Sequence, residues 1–189
     1  MKKIFLILSF AIVAGFVHSQ TTDTVFYETG KIKIIRTIIS DSEVYGKFFA
    51  ENGKTLIAEG MYVNKERNGV WVFYDDAGMK NSTETYSAGK KNGISHIYYS
   101  DGTIGETLEW KDGIKNGVWK QFFFGGILKI DAKYLNNELD GEVKFFHPNS
   151  KLNILGYYKN GLRNGIWKYY NEEGSFIKEE KYENGFLVE

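Results

Sequence analysis

The chain contains no cysteine and a single proline among its 189 residues. Without cysteine no disulfide can cross-link the fold, so its stability must come from packing. No cysteine lies near the end of the N-terminal apolar stretch either, which argues against a lipid-anchored lipoprotein. Hydrophobic residues make up 42% and charged residues 25% of the chain, a balance typical of neither a disordered nor a membrane-embedded protein.

The chain also has no excess of charge of either sign, with 24 basic and 24 acidic residues. Removing an N-terminal leader that carries Lys2 and Lys3 would leave 22 basic and 24 acidic residues, a net charge of −2. Proteins that bind nucleic acid or anionic lipid tightly use an excess of basic residues. The sequence therefore predicts no nucleic-acid partner, and it gives little electrostatic reason for tight attraction to lipid.

The N-terminal segment differs from the rest of the chain. Lys2 and Lys3 precede an apolar stretch, residues 4–17, and residues tolerated at a cleavage site follow before Gln20. This order is typical of a secretory signal peptide. The alternative is an uncleaved anchor, but a spanning helix needs about 20 apolar residues. We predict a signal peptide over residues 1–19, cleaved near Ser19/Gln20, and an exported chain that is either periplasmic or secreted.

Glycine and aromatic residues are abundant where cysteine and proline are scarce. The chain has 21 glycines, 13 tyrosines, 14 phenylalanines and 4 tryptophans. Aromatic residues favour strands, and regularly placed glycines favour the tight turns between them. The composition therefore predicts short strands joined by tight turns.

An internal repeat organises most of the chain. Asn-Gly-Val-Trp at 68–71 returns at 116–119, and Asn-Gly-Ile-Trp follows at 164–167. The underlying period is 24 residues and is marked by five glycines: Gly69, Gly93, Gly117, Gly141 and Gly165. Five positions after each glycine stands an aromatic residue: Tyr74, Tyr98, Phe122, Phe146 and Tyr170. Seventeen positions after each glycine stands another: Tyr86, Trp110, Tyr134, Tyr158 and Tyr182. A repeat of this length predicts a stacked array.

The period divides the chain into units. We assign a partial repeat or cap to residues 20–45 and six tandem repeats to residues 46–189. The six repeats are 46–68, 69–92, 93–116, 117–140, 141–164 and 165–189. Each unit holds two runs of strand-forming residues that end in turn-forming residues, and we expect the Asn-Gly of each tetrapeptide to be one of the turns. The predicted fold is all-β: a single-layer antiparallel β-meander built from tandem hairpin repeats of about 24 residues.

The cleanest copy of the pattern is Gly165–Tyr170, followed by Glu173-Gly174 and by Tyr182–Gly185. It resembles MORN repeats, and most closely the bacterial variant in the "toxin-antitoxin system YwqK family antitoxin" proteins. The resemblance covers residues 46–189. It implies a repeat fold that serves as a scaffold, a lipid-associated protein or an attachment to an enzyme. The family label also implies a cytoplasmic antitoxin, a role against which the predicted leader argues.

The sequence has no arrangement typical of catalysis or metal binding. His96 and His147 lie in different units, without acidic or cysteine ligands at a matching spacing. Ser95 and His96 are neighbours in a predicted strand, so their side chains point to opposite faces. Pairs of acidic residues lie at hairpin ends or in the last strand, where acidic residues are common. We therefore predict no catalytic residue, no metal and no cofactor, and no small-molecule substrate is evident.

The aromatic residues are the strongest candidates for a binding role. Both periodic sets are expected to pack as structural ladders, because a single-layer sheet depends on such cross-strand pairs. Trp71, Trp119 and Trp167 have the opposite parity to the set five positions after each glycine, so they should project from the other face. With Phe73 and Tyr169 beside them, they are predicted to form an exposed ridge that a protein partner contacts.

The sequence leaves three functional hypotheses open. The first is a non-catalytic exported scaffold that binds a protein through an aromatic sheet face. The alternative is a peripheral membrane or envelope-associated structural protein that contacts a lipid surface. A carbohydrate-binding role is a third hypothesis, and it depends on the aromatic residues alone.

Overall fold

The computed structural model describes residues 20–188, and every regular element in that range is a β-strand. The predicted signal peptide, residues 1–19, and the final residue lie outside the described residues. Eighteen strands form one sheet. The strands are β1 Thr21–Phe26, β2 Ile32–Ile38, β3 Glu43–Phe49, β4 Leu56–Val63, β5 Glu66–Tyr74, β6 Lys80–Ser87, β7 Lys90–Lys91, β8 Gly93–Tyr98, β9 Ile104–Lys111, β10 Ile114–Phe122, β11 Leu128–Leu135, β12 Glu138–Leu139, β13 Gly141–Phe146, β14 Leu152–Lys159, β15 Leu162–Arg163, β16 Gly165–Tyr170, β17 Phe176–Glu183 and β18 Phe186–Leu187.

The strands follow one another across the sheet in chain order, and every ladder is antiparallel. The two-residue strands β7, β12 and β15 are the first parts of longer strands, since each pairs with the same neighbour as the strand after it. In β5 and β10 the corresponding stretch is unbroken. The predicted all-β, single-layer antiparallel meander is confirmed.

Two kinds of turn alternate along the meander. Between one repeat and the next, both central residues have positive φ, as at Asn160 (51°) and Gly161 (74°). This is type I′ geometry, whose twist matches that of the paired strands. The turn within each hairpin is wider. In one of these turns the Gly78 N–H donates to the Asp75 carbonyl at 2.9 Å. Ser150 occupies the place of Gly78 in one repeat and adopts the same backbone region, with φ of 67°.

The Asn-Gly pair of the repeated tetrapeptide is a bulge, not a turn as the sequence led us to expect. Asn116 and Gly117 lie inside β10, where the register against β9 shifts between Lys115 and Trp119. Gly117 has a φ of 113°, a conformation that glycine adopts without strain. The hairpin turn lies earlier, at Asp112-Gly113. Both sites have turn-forming residues, so residue type alone does not tell which one closes the hairpin.

The two faces of the sheet pack differently, since successive side chains of a strand point to opposite sides. The buried hydrophobic residues concentrate on the face that carries Trp71 and Trp167, which we call the aromatic face. They form two clusters: Ala58, Trp71 and Tyr86 in one, and Ile130, Ala132, Val143 and Trp167 in the other. The remaining side is called the opposite face below. The hydrophobic core therefore lies on the aromatic face of the sheet and not between two layers.

Candidate functional site

Trp71 is the centre of the first cluster on the aromatic face. Its side chain is 1% exposed, and its indole N–H donates to the Met61 carbonyl at 3.0 Å. Four rings surround it, with centroids 4.9 to 6.5 Å from its own: Phe48, Tyr62, Phe73 and Tyr86. Gly60 makes room for the indole, because a Cβ at that position would lie 2.4 Å from Cδ2 of Trp71. Strands β3 to β6 thus enclose one tryptophan.

Trp167 repeats this arrangement four units later. It is fully buried, and Gly156 lies against its indole as Gly60 does against Trp71, with the same 2.4 Å to a Cβ. Three rings lie 5.2 to 6.5 Å away: Phe145, Tyr158 and Tyr182. Tyr169 also packs against this cluster. A glycine eleven residues before each buried tryptophan, Gly60 and Gly156, is thus a sequence signal of burial. The prediction from the sequence did not use it.

An arginine covers each buried tryptophan. The Arg67 guanidinium lies 4.5 Å from the Trp71 ring and donates to the Tyr86 hydroxyl at 3.0 Å. Arg163 lies 4.4 Å from the ring of Trp167 and makes the equivalent 3.0 Å hydrogen bond to the Tyr182 hydroxyl. These cations stand two positions before the periodic glycine. Their guanidinium groups stack on aromatic rings, an interaction that stabilises both groups.

The prediction that these aromatic residues form an exposed ridge is therefore wrong. Trp71 and Trp167 belong to the core, and Phe73 and Tyr169 are half-buried against them. Trp119 is also half-buried, and its indole N–H donates to Glu106 at 3.0 Å. The physical reason is that facing glycines admit the indoles while neighbouring rings and arginines cover them. Whether these residues touch a partner at all stays an untested prediction.

The two periodic aromatic sets lie on different faces. The set seventeen positions after each glycine is on the aromatic face, and Tyr86, Trp110, Tyr134, Tyr158 and Tyr182 each contact a neighbouring ring or cation there. The set five positions after each glycine begins with Tyr74 and lies beside the register shift in its strand. Among residues 20–188 no ring contact joins two members of the same set, so the expected stacking within each set is absent there.

The opposite face carries a row of exposed aliphatic side chains. They stand one position after the periodic glycine, and three of them are large and exposed: Val70 (57%), Ile94 (42%) and Ile166 (51%). Val118 continues the row half-buried, and Glu142 interrupts it. Val70 and Ile166 are eight strand steps apart, roughly 38 Å at about 4.8 Å per step. We call these four hydrophobic residues the aliphatic row. Sequence reasoning did not single it out.

Charges of both signs flank the aliphatic row. Lys120 pairs with Asp131 at 3.7 Å, and Lys144 pairs with Glu142 at 2.7 Å, on the same face. These exposed pairs contribute little to stability, because solvent screens them. Charges of both signs therefore lie beside the row.

Two carboxylates of the sheet accept hydrogen bonds from half-buried tyrosines. The Tyr74 hydroxyl donates to Glu59 at 2.6 Å, and burial together with this carboxylate raises the pKa of Tyr74 to about 12. Glu180 accepts hydrogen bonds from Lys178, Tyr169 and Tyr182, which lower the pKa of its carboxyl to about 2. Burial, followed by the hydrogen bond to Glu180, raises the pKa of Tyr169.

Two clefts interrupt the aromatic face. One has a volume of about 710 Å³ and lies between β2, β3 and β4; its apolar lining comprises Ile34, Val44, Phe48 and Tyr62. The other has a volume of about 310 Å³ and lies around Ser95, between the two aromatic clusters. Within residues 20–188 no group of three or more histidine or acidic side chains is placed to hold a metal ion. No helix in this range is long and apolar enough to cross a membrane.

The comparison with known families identifies the class. The fold is that of an all-β repeat protein, and the family model of the MORN repeat variant matches residues 139–160. This match supports a MORN-repeat protein. Among solved structures, the crystal structure of TarM matches at 18% identity, covering 51% of this chain with a TM-score of 0.37. The matched part is 20% of that chain. The curated proteins give no match.

Proposed function

We propose that this chain is a non-catalytic, exported repeat scaffold that binds a protein partner through the opposite face of its sheet. MORN repeats mediate protein or membrane interactions, and the meander is a repeat type without enzymatic activity of its own. The observation that carries the choice of face is the aliphatic row. Val70, Ile94 and Ile166 are exposed one position after a periodic glycine, whereas Trp71 and Trp167 of the other face are buried.

A protein partner fits this face better than a lipid surface does. An anionic membrane attracts clusters of basic residues, but here lysines alternate with acidic residues in pairs such as Lys120–Asp131 and Lys144–Glu142. Aliphatic side chains rimmed by polar groups of both signs are instead the usual makeup of a protein interface. An interface along the row would use contacts repeated at roughly 10 Å, two strand spacings.

The test is a pull-down from the envelope fraction of the native host. The purified protein is compared with the triple variant Val70→Asp, Ile94→Asp, Ile166→Asp, which places charge along the row. We expect a specific protein to be recovered by the wild type and lost with the variant, since burying unpaired carboxylates at an interface is costly. Equal recovery by both proteins would reject the opposite face as the binding surface.

A matched control separates added charge from position. Ala77→Asp, Ser87→Asp and Ser100→Asp add the same charge at exposed hairpin ends. This control variant should recover the partner as the wild type does, and both variants should keep the thermal stability of the wild type. Loss of binding in the control as well would indicate a general charge effect.

The membrane alternative has its own outcome. Sedimentation with anionic liposomes that weakens as salt is raised would support a peripheral membrane protein over our proposal.

Export is a separate proposal, based on the leader-like residues 1–19. The intact mass of the protein from its native host tests it, and a chain that still carries residues 1–19 would reopen the cytoplasmic, antitoxin-like role.

A further inference from the structure

The cleft around Ser95 lies where the tryptophan of the neighbouring repeats is missing. Trp71, Ser95 and Trp119 stand at equivalent positions, two residues after successive periodic glycines. Ser95 is 9% exposed, and the space that an indole fills elsewhere is left as a cleft of about 310 Å³. That volume is at the lower end of the range for small-molecule sites in proteins.

The equivalent part of the repeat 48 residues later in the chain can be compared with this cleft. There Val143 occupies the position of Ser95, and it is 1% exposed in a packed hydrophobic cluster. Five polar residues around the cleft have apolar counterparts in that unit: Ser82 and Ile130, Glu84 and Ala132, Lys91 and Leu139, Ser95 and Val143, Glu106 and Ile154. The fold accepts apolar residues at all five places, so the polar set around Ser95 is not required by the repeat.

Two polar atoms of the cleft lining are buried without a hydrogen-bond partner. They are the Ser95 hydroxyl and the indole N–H of Trp110. Leaving such groups unpaired is costly, and in native proteins an unpaired buried donor calls for an explanation. Both belong to residues that line the cleft, so a molecule bound there would meet these two residues.

The charges of the cleft define which molecule would suit it. Lys91 donates to Glu84 at 2.5 Å, and the Tyr86 hydroxyl also donates to Glu84, so this carboxylate and this amine largely satisfy each other. Glu106 accepts from the Trp119 indole with one oxygen, Oε1. The groups with remaining capacity are then a carboxylate acceptor, a hydroxyl and an indole donor. A ligand hydroxyl can both accept from the indole and donate to the carboxylate.

We propose that this cleft binds a neutral, hydroxyl-rich ligand of about one sugar ring in size. Ser95, Glu106 and Trp110 form its hydrogen-bonding groups, and the Lys91–Glu84 pair closes one side. The site is on the aromatic face and does not depend on the interaction proposed for the opposite face. Either proposal can fail without the other.

The test follows the indole N–H signals of isotope-labelled, purified protein by NMR. The chain has 4 tryptophans, so four such signals are expected, and single Trp→Phe variants assign them. The probes are free glucose, galactose, mannose and N-acetylglucosamine. We expect at least one to shift the Trp110 signal saturably while the buried Trp71 and Trp167 signals stay in place. Methylamine and inorganic phosphate are the charged control probes and should leave the Trp110 signal unchanged.

A variant built from the chain's own repeat supplies the control. Glu84→Ala, Lys91→Leu and Ser95→Val install the residues of the Val143 unit. This triple variant should keep its thermal stability and weaken binding about tenfold or more, because the Ser95 hydroxyl and the charged pair that closes one side of the cleft are lost. If it fails to fold, Ser95→Val alone, which copies Val143, replaces it; this change removes the hydroxyl and keeps the Trp110 signal.

Three results would overturn the proposal. The first is that no sugar probe moves the Trp110 signal, which would leave the cleft as a solvent-filled packing defect. The second is a shift by methylamine or phosphate alone, which would indicate an ion site. The third is equal binding by wild type and the folded variant, which would place the sugar elsewhere on the protein.

Discussion

Replacing Gly156 by alanine tests how tightly the residues around Trp167 are packed. The backbone at Gly156 is one that alanine accepts, so the strain comes from contact alone. The added Cβ would lie 2.4, 2.5 and 2.7 Å from three atoms of the indole. Trp167 is fully buried under Arg163, so it cannot move aside without breaking the cluster.

The expected cost follows from these contacts. Overpacking a well-filled core destabilises by about 1–3 kcal/mol, and the reduced freedom of the unfolded chain offsets about 0.4–1 kcal/mol of it. We expect a net loss of about 1–2 kcal/mol, which for a chain of this size lowers the melting temperature by about 2–8 °C. Trp167→Val should cost about 3 kcal/mol through lost burial.

The two changes should not add. The double variant Gly156→Ala, Trp167→Val reproduces the Ala132–Val143 pair, which packs well in the same array. With the indole gone the added methyl meets no clash, so the coupling should be about 1.5–3 kcal/mol.

Thermal and urea unfolding followed by circular dichroism measure this cycle, with Gly105→Ala as the control. That substitution approaches the Tyr99 ring only to 3.1 Å and should cost less than Gly156→Ala. Additive effects, or a Gly156→Ala variant as stable as the wild type, would refute the tight closure around Trp167.

Three further outcomes test the same packing. Arg163→Met keeps the side-chain stem but removes the guanidinium from Trp167, and should lower the free energy of unfolding by about 1–2 kcal/mol in urea titrations. Trp119→Ala should cost about half of the 3–5 kcal/mol expected for Trp167→Ala, because Trp119 is only half-buried. The fold lowers the pKa of Glu180 from 4.5 to about 2, so its carboxylate stabilises the protein above pH 4.5 and this contribution is lost as pH falls toward 2. Glu180→Gln should therefore flatten the melting temperature over that pH range, and an unchanged slope would contradict this.

The fold was predictable because its determinants are local and periodic. Glycines at a 24-residue spacing and strand-forming runs between them define hairpins, and hairpins in tandem can only bury their side chains by stacking. The bulge at Asn116-Gly117 was missed because bulges and turns use the same residue types.

The accessible surface was not predictable from the same pattern. Parity correctly separates Trp71 from Tyr74, but it cannot tell which face of a single-layer sheet is covered. That depends on Gly60 of the neighbouring strand β4, which makes room for the indole, and on the position of the Arg67 side chain, which covers it from four residues earlier in β5. The aliphatic row was not predicted because valine and isoleucine are common in strands, and the sequence does not show which of them are exposed.

Site-specific photo-crosslinking tests the central claim, that a partner binds the opposite face, most directly. Ile94 and Ile97 are both exposed in β8 (42% and 51%) but project from opposite sides of the sheet. A photoreactive residue is placed at each position in turn, and the protein is irradiated in its native host. We expect the same protein adduct repeatedly from position 94 and none from position 97. Adducts from position 97 with none from position 94 would contradict the account and return the aromatic face as the binding surface.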